Sequence, residues 1–359
     1  MSSPSRTTIV WSSTCADTSG AMARKGGWRR EGSRGRFRYF DARGNRIRDE
    51  AKLARIQALV IPPAWKDVWI SPRSNAKLQA TGVDKAGRRQ YLYHPAFRAQ
   101  QEQEKYDRLI RFAEKLPDLR EAMAEHMDRD GLERERVSAV AIRLINRAWF
   151  RVGGERYARD SRTFGITTLT KRHVAVRGKK IAFHFRGKHK VLVRTTLVDS
   201  ELSSVIKELL ELPGGRRLFR FDVDGQLQNL TGRRLNEYVQ TYLGEEFTAK
   251  DFRTWGGTLT AAIALAERGS VETATEQKRV VAAVMRQVGD QLGNTAAVAR
   301  SSYVSPAVIE QYLDGRTIED FRPRQLRVVG ARDMGLDFEE QALLSLLRSW
   351  KIRQSRAAA

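Results

Sequence analysis

The sequence predicts an α+β protein built from a small β-rich N-terminal lobe and a larger, mainly α-helical domain that carries a three-stranded antiparallel sheet. Three observations lead there. FRYFDARGNRI, DVWIS, KLQATG and QYLYH are short, strand-like runs broken by turn residues. Beyond residue 98, apolar residues recur at three- and four-residue spacing, the mark of amphipathic helices. Within that helical part, HVAVRGKKIAFHFRGKHKVLVRTT alternates apolar and polar residues around two glycine turns, which reads as three antiparallel strands.

Residues 1–26 are rich in Ser and Thr, show no periodicity and lack the apolar core of a signal peptide, so they read as a flexible arm. The β-rich lobe spans 27–97. Residues 24–48 are dense in Arg and Gly, and FRYFDARGNRI forms a hairpin with Gly44 at its turn. EAKLARIQALV is a short helix ended by Pro62 and Pro63. Two strands and a turn then lead to the alternating aromatics Tyr91 and Tyr93. Composition changes from β-like to helical across FRAQQEQEKYDR, which places the domain boundary there and the second domain over 98–345.

In the second domain Val137, Val140, Ala141, Leu144, Ile145 and Ala148 define a buried helix face, and Arg151 stands where that helix ends, at VGG. Lys188 falls in the second turn of the three-stranded unit. LVDSELSSVIKELLEL and LTGRRLNEYVQTYL are helices. Thr248 and Asp251 make a capping-box-like start for a helix whose buried face is Phe252, Trp255, Leu259 and Ile263. Val280, Val284, Val288 and Leu292 line another, with Gly293 placed to end it. Residues 346–359 read as a C-terminal tail, frayed over RQSRAAA.

Composition narrows the partner. Over 359 residues, 65 Lys and Arg face 42 Asp and Glu, a net charge of +23. Such a field concentrates polyanions, and nucleic acid is the first candidate; a basic ribosomal or membrane-surface protein is the alternative on charge alone. A hydrophobic fraction of 41% supports a real core. The single cysteine, Cys15, excludes a disulfide framework or a thiolate metal cluster and fits a reducing cytoplasm. No apolar run approaches the roughly 18 residues that span a bilayer. The five histidines are scattered, so His184 and His189 read as ordinary polar residues and a metal mechanism has no support.

Two arginines, a lysine and a tyrosine can break and rejoin a phosphodiester without a metal. A tyrosine hydroxyl, with a pKa of about 10, can attack and can also leave. Guanidiniums hold non-bridging oxygens, and an ammonium can protonate the departing oxygen. The candidates are Arg151 in RVGGERY, Lys188 in FRGK, Arg253 in KDFRTW and Tyr303 in LGNTAAVARSSYVSP. Taken singly, each has an ordinary reading: a solvated helix cap, a surface lysine, a structural ion pair, a core tyrosine. Against those readings, Arg151 precedes two glycines that let backbone approach a phosphate, and Arg253 follows the buried Phe252, with Lys250 on the same side of its helix.

In this order, and with IPPAWKDVWIS and LQATGVDKAGRRQYLYHP ahead of them, the motifs resemble the type IB DNA topoisomerases, specifically the compact poxvirus-like and bacterial members, over about residues 27 to 345. The resemblance implies that Tyr303 is the nucleophile, that Arg151 and Arg253 bind the scissile phosphate, and that Lys188 is the general acid toward the 5′-oxygen. Lys250 matches a second basic residue implicated in that proton transfer. Asn294, nine residues before Tyr303, stands where many relatives carry a histidine; its amide can donate a hydrogen bond to phosphate but cannot shuttle protons. Gln90, Tyr91 and Tyr93 align with DNA-contacting residues of the N-terminal clamp lobe, and Arg156 and Tyr157 with a similar set on the catalytic lobe.

The implied activity is relaxation of supercoiled double-stranded DNA through a 3′-phosphotyrosyl intermediate, strand rotation and religation. The ester energy is kept in the tyrosyl link, so neither ATP nor a divalent metal is required, in keeping with the lack of a GxxxxGK[ST] loop. The implied form is a cytoplasmic, nucleoid-associated monomer closing as a clamp around DNA. Tyrosine recombinases share the chemistry but usually carry HxxR where this chain has KDFR, and a helical N-terminal domain. A non-catalytic DNA-binding clamp would not need Tyr303 together with the basic residues.

Overall fold

A computed structural model describes residues 26–33, 35–85, 87–322 and 335–358. The expected N-terminal arm, but for Gly26, lies outside the described residues, and so does Cys15. The chain divides into two compact units, the first ending at Lys105 and the second beginning at Tyr106.

The first unit is a five-stranded antiparallel sheet in the order β2-β1-β3-β4-β5, formed by β1 (Trp28–Glu31), β2 (Arg38–Phe40), β3 (Lys66–Ile70), β4 (Leu78–Val83) and β5 (Arg89–Tyr93). One helix, α1 (Glu50–Ala58), starts where the Asp49 side chain accepts from the Lys52 amide at 3.0 Å and stops short of Pro62. Trp28, Ile56, Trp65, Val68, Ile70 and Ala80 form its small core. Gly82 gives Trp65 its seat, because a Cβ there would lie 2.6 Å from the indole.

Helix α2 (Pro95–Met127) is continuous through the region where composition changes, so the division between the units falls inside a helix rather than in a loop. In the second unit it is followed by α3 (Arg134–Ala148), α4 (Glu155–Asp160) and the antiparallel sheet of β6 (Val174–Arg177), β7 (Lys180–Arg186) and β8 (Leu192–Val198). Along β7 burial alternates strictly, with Ile181, Phe183 and Phe185 inward and Lys180, His184 and Arg186 outward. Next come α5 (Ser200–Glu211), the hairpin β9 (Arg220–Val223) and β10 (Gln226–Asn229), α6 (Gly232–Leu243), α7 (Asp251–Arg268), α8 (Ala274–Leu292), α9 (Ala296–Ser302), α10 (Pro306–Leu313) and α11 (Phe338–Ala358).

Three features differ from the sequence expectation. Helix α3 is buried beyond its one predicted face, with Ser138, Ala139 and Ile142 also fully enclosed, because α6, α7 and β9 all pack against it. In α7, Leu259 and Ile263 are only partly buried, whereas residues 251–258 are buried throughout and Ala261, Ala262, Ala264 and Leu265 continue the contact. Small residues let neighbouring elements come close, a property that weighting large apolar side chains misses.

The third difference is at the end of the chain. Residues 346–358 continue α11, whose Leu343, Leu346, Leu347 and Trp350 are buried, while 351–356 are exposed, so only the first part of the expected tail is packed. Glu340, 3% exposed, holds this helix in place by accepting from both terminal nitrogens of Arg120, at 2.8 and 2.7 Å, and from Trp255 Nε1 at 2.9 Å. Burial raises the Glu340 pKa, but the bonds and charge of Arg120 outweigh it and leave the carboxyl below its ordinary value. Glu340→Ala should therefore lower unfolding free energy by about 3 kcal/mol in denaturant titrations at neutral pH. With Glu340→Gln, the wild-type advantage should be complete above the unfolded carboxyl's pKa and vanish as pH falls through the lower folded one.

Candidate active site

Two helix ends and one helix start build the site. Helix α3 stops at Ala148, and Trp149, in the left-handed region at φ 50°, turns the chain outward into the RVGG segment. That segment is pinned by the turn Ile166–Thr168: Ile166 N donates to Arg151 O at 2.8 Å, and Thr167 donates to Val152 O through both its amide and its hydroxyl. Gly153 has φ +94°, and a Cβ on it would lie 2.7 Å from Thr168 Oγ1. Gly153 thus lets its backbone lie against that of Gly165, whose own Cβ would stand 2.7 Å from Gly153 Cα.

Helix α8 ends in a Schellman turn, with Gly293 left-handed, Gly293 N donating to Asp290 O and Asn294 N to Gly289 O. The turn presents two acceptors to one arginine: Arg151 Nη2 donates to Gly293 O at 3.0 Å and to Asn294 Oδ1 at 2.9 Å. Asn294 Nδ2 in turn donates to Leu292 O at 3.3 Å.

Arg253 rises from the first turn of α7 between the two helix ends. Asp251 fixes that first turn by reaching back to Thr248 N and Oγ1, at 2.9 and 3.0 Å. The Arg253 guanidinium, on a residue 4% exposed, donates to Trp149 O at the end of α3 and to Leu292 O, at 2.8 Å, at the end of α8. Helix C-termini leave carbonyls unpaired and carry partial negative charge, so they suit a cation. Among the described residues no carbonyl or carboxylate pairs with the Arg253 Nε–H, while charge and a side-chain hydrogen bond couple the guanidinium to Tyr303. The Tyr303 ring, on the residue that closes α9, stacks on the same guanidinium with its centroid 5.2 Å from Cζ.

Lys188 opens the turn Lys188–Lys190 between β7 and β8, closed by Gly187 N donating to Val191 O at 2.8 Å. It is exposed, and with Arg151 and Arg253 it lines one cleft of about 330 Å³ whose apolar walls include Phe164, Phe185 and Leu192. Lys250, also exposed, stands at the N-terminus of α7, and its charge acts on Tyr303. Residues 174–198 contain no Asp or Glu, and Lys180, Arg186 and Arg194 are exposed on one face of the sheet.

The structure therefore brings Arg151, Arg253, Asn294 and Tyr303 together, with Lys188 and Lys250 contributing from exposed positions. Arg156 and Tyr157 lie on α4, both exposed, with Arg156 Nε 3.5 Å from Asp160 and an Arg217–Glu155 pair holding the start of that helix. Gln90, Tyr91 and Tyr93 are on β5 of the first unit, where Tyr91 and Tyr93 stack at 6.3 Å and Gln90 donates to Asp84 at 2.8 Å. Sequence reasoning missed Gly256, Gly257, Gly165 and Thr167. A Cβ on Gly256 would overlap the Trp149 indole, and one on Gly257 would lie 3.0 Å from Tyr303 O. A glycine pair inside a helix costs about 1 kcal/mol per residue, and that was the signal available in TWGGT. Among the described residues, no group of three or more His, Cys, Asp or Glu could hold a metal ion.

Comparison with known proteins gives a consistent set of matches. Residues 94–322 match the family model described as eukaryotic DNA topoisomerase I, catalytic core, and residues 36–84 match that described as bacterial DNA topoisomerase IB, N-terminal domain. The chain is 34% identical over 291 residues to DNA topoisomerase 1B of Acanthamoeba polyphaga mimivirus, covering 79% of this chain and 86% of that protein. It is 25% identical over 243 residues to DNA topoisomerase 1 of Rabbit fibroma virus (strain Kasza), and 22% identical over 240 residues to DNA topoisomerase 1B of Vaccinia virus (strain Copenhagen). Each of those two matches covers 66% of this chain and 73% of the relative.

The electrostatics of the cluster are measurable. Burial lowers the Arg253 pKa to about 10 and also lowers that of Arg151. Burial raises the Tyr303 phenol, but the charges of Arg253 and then Arg151 outweigh it, leaving the phenol below its ordinary value. The tyrosinate absorbance of the wild type minus Tyr303→Phe should thus appear below pH 10, and Arg253→Gln should move it upward. An unchanged titration in Arg253→Gln would show that the guanidinium does not act on the phenol.

Proposed function

The chain belongs to the type IB DNA topoisomerase family and relaxes supercoiled DNA, and we propose that Tyr303, Arg151, Arg253, Lys188, Lys250 and Asn294 form the site that does so. The observation that carries this assignment is the buried Arg253 guanidinium. It is fixed by two helix ends, meets no acid among the described residues and lies against the Tyr303 ring, to which it is coupled by charge.

Tyr303 Oη releases its phenolic proton to solvent and attacks the scissile phosphorus in line. As the new P–O bond forms, the bond to the 5′-oxygen breaks, and the 3′-phosphate becomes esterified to the tyrosine. Negative charge grows on the non-bridging oxygens, where Arg253 and Arg151 are preorganised donors. Asn294 has two uses: its Oδ1 orients Arg151, and the second N–H of its amide is available to the phosphate. Lys188 protonates the leaving 5′-oxygen, assisted by the charge of Lys250. Both are exposed, which suits groups that must exchange protons with solvent between cleavage and religation. The free 5′ end rotates before the steps run in reverse, and neither ATP nor a divalent metal enters the balance.

Double-stranded DNA is the substrate. Gln90, Tyr91 and Tyr93 from the first unit and Arg156 and Tyr157 from the second contact it, and the acid-free stretch 174–198 adds phosphate-binding charge. We place the enzyme in the cytoplasm as a monomer whose two units close around the duplex. No helix among the described residues is long and apolar enough to cross a membrane. A pair of cysteines introduced one in each unit and crosslinked over plasmid should retain circular DNA through a denaturing wash and release it after linearisation. Loss of circular DNA despite crosslinking would rule out the clamp.

With negatively supercoiled plasmid in EDTA and no ATP, the wild type should give relaxed topoisomers and a covalent adduct joining Tyr303 to a 3′ DNA end. Tyr303→Phe should abolish both, and Arg253→Ala should slow single-turnover cleavage on the order of 100-fold or more. Binding without nicking by the wild type would favour a non-catalytic clamp instead.

A further inference from the structure

Thr258 lies one turn beyond Arg253 on α7 and is fully buried. A threonine inside a helix ordinarily satisfies its hydroxyl on a carbonyl of the preceding turn. This one bonds far along the chain: Thr258 Oγ1 donates to Tyr303 O at 3.1 Å and accepts from Ser305 N at 3.1 Å. The hydroxyl therefore clips both ends of the three-residue segment 303–305. Ser305, itself fully buried, caps α10 by accepting from Ala307 N, so the far end of the clip is anchored in a second helix.

The adjacent Gly257 completes the seat. A Cβ there would stand 3.0 Å from Tyr303 O and 3.2 Å from Tyr303 Cβ, so the α7 backbone itself lies against the tyrosine. Arg253, Gly257 and Thr258 fall within two turns of one helix. The tyrosine and the guanidinium that faces it are thereby referenced to a single rigid element.

We propose that Thr258 is a positioning residue for the nucleophile, setting the backbone from which Tyr303 Oη reaches the phosphorus in line. The proposal rests on Tyr303 being that nucleophile. It gives the hydroxyl no contact with DNA and no part in proton transfer. Without the clip, Tyr303 N still donates to Ala299 O at 3.0 Å, so the chain keeps its path through α9 while residues 303–305 lose their link to α7.

The test is single-turnover cleavage of a suicide duplex at saturating enzyme, with DNA affinity and Tm measured alongside. Two substrates are compared, one with the normal 5′-oxygen and one with a 5′-bridging sulfur, which leaves as a thiolate without needing a proton. Thr258→Val should slow cleavage roughly 10- to 100-fold on both substrates, the scale of a small misplacement of a reacting group, with DNA affinity unchanged. Thr258→Ser, which restores the hydroxyl, should recover most of the rate. Lys188→Ala serves as the contrast, since its defect should be relieved by the sulfur.

The proposal fails if Thr258→Val cleaves like the wild type, if sulfur rescues it, or if Thr258→Ser is as slow as Thr258→Val. It fails too if affinity falls in step with rate and Tm, which would mark a purely structural threonine. A wild type that forms no adduct through Tyr303 would instead overturn the reading of the site, whatever Thr258 does.

Discussion

A guanidinium buried where two helices end is the constraint on which the rest of this molecule depends. Removing an arginine from water costs several kcal/mol unless its donors are met. Here Trp149 O from the end of α3 and Leu292 O from the end of α8 meet two of them, one on each terminal nitrogen. Those carbonyls need donors as well, because the last turn of a helix has no intrahelical partners for them. Each requirement answers the other, and three helices are locked at one point. For α7 to bring Arg253 there, its backbone must pass beneath the Trp149 indole and beside Tyr303, which explains Gly256 and Gly257 in a helix interior.

The choice of carbonyls over carboxylates matters for function. Among the described residues neither Arg151 nor Arg253 is paired with an acid; both are held by backbone oxygens and the Asn294 amide. Their full positive charge therefore remains available to an incoming anion, while their positions are already fixed. Preorganised cations of this kind need little rearrangement when charge builds up in a transition state. The same uncompensated charge draws the Tyr303 phenol below its ordinary pKa against the effect of burial. Lys188 and Lys250, whose proposed work is to pass protons, stand instead in solvent. Fixed and exchangeable charges are thus segregated by burial.

Much of the fold was legible because local rules and tertiary structure agree. The alternation in residues 174–198 gave the three-stranded sheet with Lys188 at its second turn, and Gly293 after the Val284–Val288–Leu292 stripe gave the end of α8. The order of the motifs along the chain, through their resemblance to the family, supplied the candidate site residues. What was not legible were close approaches. The Ile166–Thr168 turn under Arg151 leaves no periodic trace in the sequence. The buried face of α7 is made of Gly, Thr and Ala, which carry little hydrophobic signal. Residues 346–359 read as a tail because the burial of Leu346, Leu347 and Trp350 depends on tertiary packing of α11 against α7, α10 and Ile318–Phe321, which short-range periodicity does not report.

By itself the sequence determined the chemistry on offer: two arginines, two lysines, an asparagine and a tyrosine in a fixed order, on a chain with net charge +23 and a β-rich lobe ahead of a helical one. Composition and short-range periodicity suffice for that, because strand alternation, helix stripes and turn glycines act over a few residues. Only the tertiary structure decided that Arg151, Arg253, Asn294 and Tyr303 share one point, and that backbone carbonyls rather than acids hold the two arginines there. Those outcomes depend on where α3, α7 and α8 end in space, and side-chain packing between distant segments sets that.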